Sequence, residues 1–162
     1  MDIARADVNG QDAGHPGPFH RSYVRNRIIT VLSLIRHGSD VTARDDGDST
    51  PLHLASSKES TYVVDLLIRH GADINAQNRD QSTPLHLAAS SPLALKGTIV
   101  RLLLRHGANV DARDSEGRTP LERAASAGNS WIEKLLSDHL AKRGLMYYTR
   151  CHFSSLRISK QK

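Results

Sequence analysis

The strongest constraint on this chain is that it repeats itself in phase. Thr50-Pro51-Leu52-His53-Leu54-Ala55 returns as Thr83-Pro84-Leu85-His86-Leu87-Ala88 after 33 residues, and as Thr119-Pro120-Leu121-Glu122-Arg123-Ala124 after 36 more. A second motif keeps step, running Arg36-His37-Gly38, Arg69-His70-Gly71 and Arg105-His106-Gly107 at the same two intervals. The three extra residues of the longer interval therefore lie between the motifs, around Ser91-Pro92-Leu93-Ala94-Leu95-Lys96-Gly97. A unit of this size is too small to bury its own apolar face, so neighbouring units must lie against one another to make a core.

Each unit reads as two short helices and a turn. Thr50 and Thr83 are N-cap residues, and Pro51 and Pro84 suit the first helical position, where no backbone N–H is needed. Leu52, Leu54 and Ala55 give the first helix a narrow apolar face. The second helix, Tyr62 to His70, is apolar at i, i+3 and i+4 spacing. Gly71 permits the left-handed conformation that ends a helix. The polar stretch from Ala72 to Asp80 is a turn and connector.

The TPLHLA hexamers, the Val63-Val64-x-Leu66-Leu67 helix and His70-Gly71-Ala72-Asp73-Ile74-Asn75-Ala76 resemble the ankyrin repeat. The best copies are 50–82 and 83–118. A degenerate copy spans 17–49, with Gly17-Pro18-Phe19-His20 standing 33 residues before Thr50-Pro51-Leu52-His53. A last copy spans 119–140, where Ile132, Leu135, Leu136, His139 and Leu140 form an amphipathic closing face. Residues 1–16 read as a remnant connector or a disordered N-terminus, since Ala6-Asp7-Val8-Asn9 matches Ala72-Asp73-Ile74-Asn75. That match suggests a longer array or a truncated start. The resemblance implies an all-α solenoid of about four repeats, with projecting β-hairpin turns and degenerate units as caps. Glu122 and Arg123, in place of histidine and leucine, fit a terminal unit with one wet face.

The resemblance also implies a binding surface, made of finger-like turns and a groove lined by the first helices. Carried over position by position, the first finger offers Arg44, Asp46, Gly47 and Ser49. The second offers Gln77, Arg79, Asp80 and Ser82, and the third Arg113, Ser115, Glu116 and Arg118. The exposed ends of the first helices add Ser57 and Lys58, then Ser90 and Ser91, then Ser126 and Ala127. These positions mix arginine with acids and hold no aromatic residue, which points to a polar, charge-steered contact. The family's hairpin glycine is present as Gly117, but Asp48 and Gln81 occupy the matching earlier positions. Gln tolerates positive φ poorly, so the finger around Gln81 is expected to be distorted. The insertion from Pro92 to Gly97 reads as a surface bulge, or as a partner-specific loop.

The nine histidines do not point to chemistry. His20, His53 and His86 occupy the TPLH site, and His37, His70 and His106 precede helix-ending glycines, where a histidine suits the helix dipole. His15, His139 and His152 stand apart, without cysteine or carboxylate at metal-ligand spacing. Cys151, beside His152, reads as an ordinary free thiol. No nucleophile elbow, phosphate loop or paired-carboxylate motif occurs. The expectation is a non-enzyme with no cofactor, no metal and no small-molecule substrate.

Charge is uneven. The chain carries +5 overall, yet Lys142, Arg143, Arg150, Arg157, Lys160 and Lys162 fall in 141–162 without a single acid, so the first 140 residues are close to neutral. This basic tail has three readings: an extra cap folded onto the Trp131 helix, a disordered arm for nucleic acid or an anionic membrane, or a poorly ordered extension. One cysteine precludes an internal disulfide, the polar N-terminus Met1 to Gly14 holds no apolar core of signal-peptide length, and no apolar run reaches the length of a membrane span. A cytoplasmic or nuclear protein is expected. The leading expectation for function is a monomeric, non-catalytic scaffold or adaptor for a protein partner. The alternatives are a nucleic-acid or anionic-surface binder acting through its tail, and a targeting module of a longer multidomain ankyrin protein.

Overall fold

In a computed structural model that describes residues 33–58, 60–90 and 96–158, every Thr-Pro-Leu segment opens a helix. Proline disfavours the helical conformation in the residue before it, and Thr50, Thr83 and Thr119 are accordingly extended, at φ/ψ −86/165, −90/166 and −79/164. The prolines then occupy the first turn. Three helix pairs follow: α1 Pro51–Ser57 with α2 Thr61–Arg69, α3 Pro84–Ala89 with α4 Lys96–Arg105, and α5 Pro120–Ser126 with α6 Ser130–Ile158. Residues 33–36, also helical, precede them.

The pairs stack in register. One layer is α1 against α3 against α5, and the other is α2 against α4 against α6. The first layer packs Leu52 and Leu85 among Ala55, Ala88 and Ala124, all at 0% exposure. The small alanines let these short helices approach closely. The second layer buries Val63, Val64 and Leu67, then Ile99, Val100 and Leu103, then Ile132 and Leu136. These sets share the repeat interval, so each second helix presents equivalent residues to its neighbour.

The glycines stop the helices in one recurring way. Gly38, Gly71, Gly107 and Gly128 have φ of 77°, 87°, 87° and 68°. The next residue's N–H reaches back to the helix, from Ser39 to Leu34 O, Ala72 to Leu67 O and Ala108 to Leu103 O, each at 3.0 Å, and from Asn129 to Ala124 O at 2.9 Å. This six-residue closure is the Schellman cap.

Two expectations need amendment, and the last helix is longer than its unit. Gly97 does not belong to the inserted bulge; it lies in the first turn of α4. α6 runs on past residue 141, through Gly144 to Ile158. A change of charge is not a helix breaker, and nothing in the sequence from 141 to 158 is proline. The fingers are turns, with no strand assigned among the described residues. The degenerate unit 17–49 is described from residue 33 onward; Ala6 to Asn9, His15, Gly17 to His20, the loop 91–95 with Ser91, and Lys160 and Lys162 lie outside the described residues. So do the side chains of Cys151 and His152.

Candidate functional site

The fingers are built by one rule applied three times. The first residue of each turn, Asp45, Asn78 or Asp114, accepts two backbone N–H groups on its side-chain oxygen. Asp45 Oδ1 takes Gly47 N at 2.9 Å and Ser49 N at 2.8 Å. Asn78 Oδ1 takes Asp80 N at 3.1 Å and Ser82 N at 2.9 Å. Asp114 Oδ1 takes Glu116 N at 3.0 Å and Arg118 N at 2.9 Å. Such Asx turns pre-shape a loop without any help from a sheet. Each turn closes with a backbone bond from its first residue to its fifth, at 3.0 Å for Asp45–Ser49, 3.1 Å for Asn78–Ser82 and 3.0 Å for Asp114–Arg118.

The fourth residue is left-handed in all three: Asp48 at φ 58°, Gln81 at 54° and Gly117 at 74°. The distortion expected around Gln81 is therefore not found. Its N–H bonds Asn78 O at 2.9 Å, as Asp48 does to Asp45 O at 2.9 Å and Gly117 to Asp114 O at 2.8 Å. The asparagine side chain and the neighbouring fingers impose the conformation against the preference of glutamine.

Adjacent fingers are tied to each other. Arg79 N donates to Gly47 O at 2.9 Å, and Ser115 N to Asp80 O at 2.8 Å, the same bond one repeat further on. Arg44 Nη1 donates to Gln77 O in the next finger at 2.7 Å and to Asp48 O in its own at 2.9 Å. Arg79 Nε stands 3.8 Å from Asp48 Oδ2.

A histidine ladder braces the row from beneath. The Nδ1 of His53 faces Thr50 N at 3.1 Å and the Thr50 hydroxyl at 2.9 Å, and its Nε2 lies 2.9 Å from Ser82 O. A carbonyl can only accept, so Nε2 carries the proton and donates to it. His86 repeats this with Thr83 and with Arg118 O at 3.0 Å. Both rings are fully buried. Burial pushes their pKa below the ordinary value, against the opposing pull of the Ser82 and Arg118 carbonyls. In the last pair Glu122 replaces histidine, and its carboxylate accepts Thr119 N at 2.7 Å and the Thr119 hydroxyl at 3.0 Å. Those two bonds, backbone first, hold its pKa low. Glu122 has no donor to offer a following finger and stands exposed, where none is needed.

The third finger holds a buried charge. Asp114 is 3% exposed, and burial alone would raise its pKa. The Arg118 N–H, the Arg123 guanidinium at 2.8 Å, the Glu116 N–H and the Arg118 Nε at 3.3 Å outweigh burial and lower it to about 2. Arg123, at the position where leucine is usual, thus replaces an apolar contact with an ion pair.

The expected binding residues divide accordingly. Asp46, Lys58, Gln77, Arg79, Asp80, Ser115 and Glu116 are exposed. Arg44 and Arg113 are exposed too, but their guanidiniums brace backbone carbonyls, Arg113 to Gly117 O at 2.6 Å. Ser49 is half-buried, as is Ser90, whose hydroxyl donates to Leu87 O at 3.2 Å. Two expectations are corrected. Ser82 is 1% exposed, turned inward with its carbonyl under His53, and offers nothing to a partner. Arg118 grips Asp114 and Glu116, so its charge belongs to the fold.

A protein-family model described as ankyrin repeats (3 copies) matches residues 19–96 and 79–144. The chain belongs to the ankyrin-repeat family. Ankyrin repeats are generally protein–protein interaction modules and are typically non-catalytic. A search of curated proteins finds no match. Among the described residues, no three His, Cys, Asp or Glu side chains are grouped to hold a metal, and no helix is long and apolar enough to cross a membrane.

Sequence reasoning missed one feature of this ankyrin array. Trp131 is 51% exposed on α6, and Arg101 of α4 lies over its ring at 5.5 Å from the centroid. The signal was legible: basic residues at i, i+4 spacing on α4 and at i, i+8 spacing on α6, beside the only tryptophan in the sequence.

Proposed function

We propose that this protein is a non-catalytic adaptor, a monomer of the cytoplasm or nucleus, that holds a protein partner across its finger row and the adjoining ends of α1 and α3. One observation carries the reading. The exposed side chains of Asp46, Arg79, Asp80, Ser115 and Glu116 sit on backbone that is bonded from finger to finger. Ordering them costs little entropy on binding, because the turns are already fixed. Their charges, three acids around one arginine, suit a partner of complementary pattern, and charge pattern acts mainly on association rate and specificity.

The test is co-purification from native cells with the intact chain and with the Arg79→Glu, Asp80→Arg variant, followed by kinetics on the partner recovered. The variant should fold with unchanged helix content and melting temperature, and should bind roughly tenfold more slowly. A partner that binds both proteins at the same rate removes the finger row from the interface.

A further inference from the structure

A cleft of about 740 Å³ opens between α4 and α6, in the layer of second helices rather than beside the fingers. Its floor is aliphatic, made by Leu104 and the half-buried Leu135. Its walls are basic: Arg101 and Arg105 from α4, Lys134 and Lys142 from α6, against the single acid Asp138. All four cations are exposed, and none is joined to a carboxylate among the described residues.

The repeat itself shows that this charge is not dictated by the fold. The positions of Arg101 and Arg105 correspond to Asp65 and Arg69 one unit earlier, where a 2.7 Å ion pair closes the same turn of helix. In α4 the acid has become arginine. Like charges one turn apart destabilise a helix, and here they face two lysines of the next helix. The tryptophan adds a second sign. Trp131 sets the edge of its ring into the space a Cβ would fill at Gly97, only 1.5 Å from that position, while Arg101 covers a face. An otherwise exposed aromatic is thus held in a fixed place at the cleft wall.

From this geometry we infer a second docking surface, one that takes an acidic protein segment with an aliphatic anchor. The carboxylates would meet Arg101, Arg105, Lys134 and Lys142, the anchor would cover Leu104 and Leu135, and Asp138 would accept a backbone N–H. A nucleic-acid strand fits less well. Bases bind by stacking on open aromatic faces, whereas Arg101 already covers one face of Trp131, and Asp138 would repel a phosphate. The surface is independent of the finger row and does not require that the row bind anything.

Trp131 is the only tryptophan in the chain, so its fluorescence reports the cleft directly. The full-length protein is titrated with a short capped peptide of repeated Glu-Leu-Asp-Glu, with a version carrying Ser in place of every acid, and with oligothymidylate; anisotropy of a labelled copy of each probe is followed in parallel. The acidic peptide should bind saturably by both readouts and weaken with salt, and the Ser version should not bind. The Arg105→Glu, Lys134→Glu variant should raise the Kd roughly tenfold or more, and Lys142→Glu should raise it less, while Arg79→Glu leaves it unchanged. No saturable binding of the acidic peptide by either readout, an unchanged Kd in the double variant, or oligothymidylate binding as tightly as the peptide would each overturn the inference.

Discussion

Gln81 is held at φ 54°, where an L side chain is strained and glycine is not. The left-handed conformation costs an L-residue about 1–2 kcal/mol, and glycine gives back part of that relief through unfolded-state entropy. Gln81→Gly should therefore stabilise the protein by about 0.5–1 kcal/mol, read as a higher urea midpoint at unchanged slope; a lower midpoint would mean that the Gln77 Nε2 bond to Gln81 O, at 3.3 Å, depends on more than the backbone. The TPLH site gives a sharper contrast. His86 both accepts from Thr83 and donates to Arg118 O, whereas Glu122 only accepts. His86→Glu would set a buried carboxylate against a carbonyl oxygen, and losing on the order of 3–5 kcal/mol is expected for an uncompensated buried charge. The reverse change, Glu122→His, sits on the exposed end and should cost less than about 1 kcal/mol. Equal losses from the two variants would show that the donor to the next finger is not what selects histidine.

At the scale of elements, the joint between α4 and α6 depends on a residue with no side chain. Gly97 leaves the space that the Trp131 ring enters, and an added Cβ would lie 1.5 Å from a ring carbon. Because Trp131 is half-exposed, the ring can swing out, so Gly97→Ala should displace it without breaking the helix. The expected result is a red-shifted, more quenchable tryptophan emission and a loss of stability of about 1 kcal/mol, since the cation–π contact with Arg101 is lost and alanine's better helix propensity offsets part of it; an unshifted emission spectrum would place the ring elsewhere. This joint also marks the limit of what the sequence disclosed. Helix starts, helix stops, stacking order and the buried sets were legible because each rests on a local rule repeated at a known interval: Thr-Pro to open, Gly to close, apolar residues at helical spacing. What was not legible depends on contacts between units. Ser82 looked like a fingertip residue until its carbonyl proved to lie under His53, and Arg118 looked like a free charge until Asp114 was found buried beside it. Gly97 looked like part of a loop because glycine in an insertion ordinarily means a turn, and only the ring of Trp131 explains it as a helical position.

For the whole molecule, the repeat's own brace makes stability depend on pH. His53 and His86 are buried and neutral, with folded pKa values below 6.5, chiefly because of burial. In the unfolded chain they take up protons as the pH falls below 6.5, while the folded rings resist. The unfolded state then binds more protons, so stability is complete above pH 6.5 and declines as the pH drops toward the folded values. Asp114 adds a separate, more acidic step. Its pKa is lowered from 3.8 to about 2, so its contribution, about 2 kcal/mol, is present above pH 3.8 and lost as the pH falls toward 2. The two steps can be told apart with glutamine, whose single amide both accepts, as a capping-box residue must, and donates, as Nε2 does, yet does not titrate. In the His53→Gln, His86→Gln double variant, the urea midpoint should stay level from pH 7.5 down to about pH 5, where that of the natural chain falls, and both proteins should lose stability alike as Glu122 and Asp114, whose pKa values are both lowered, are protonated. A natural chain whose midpoint is flat across the upper window, or a double variant that slopes just as steeply, would mean that the ladder beneath the fingers does not carry the proton linkage and that its rings are protonated in place as readily as in the unfolded chain.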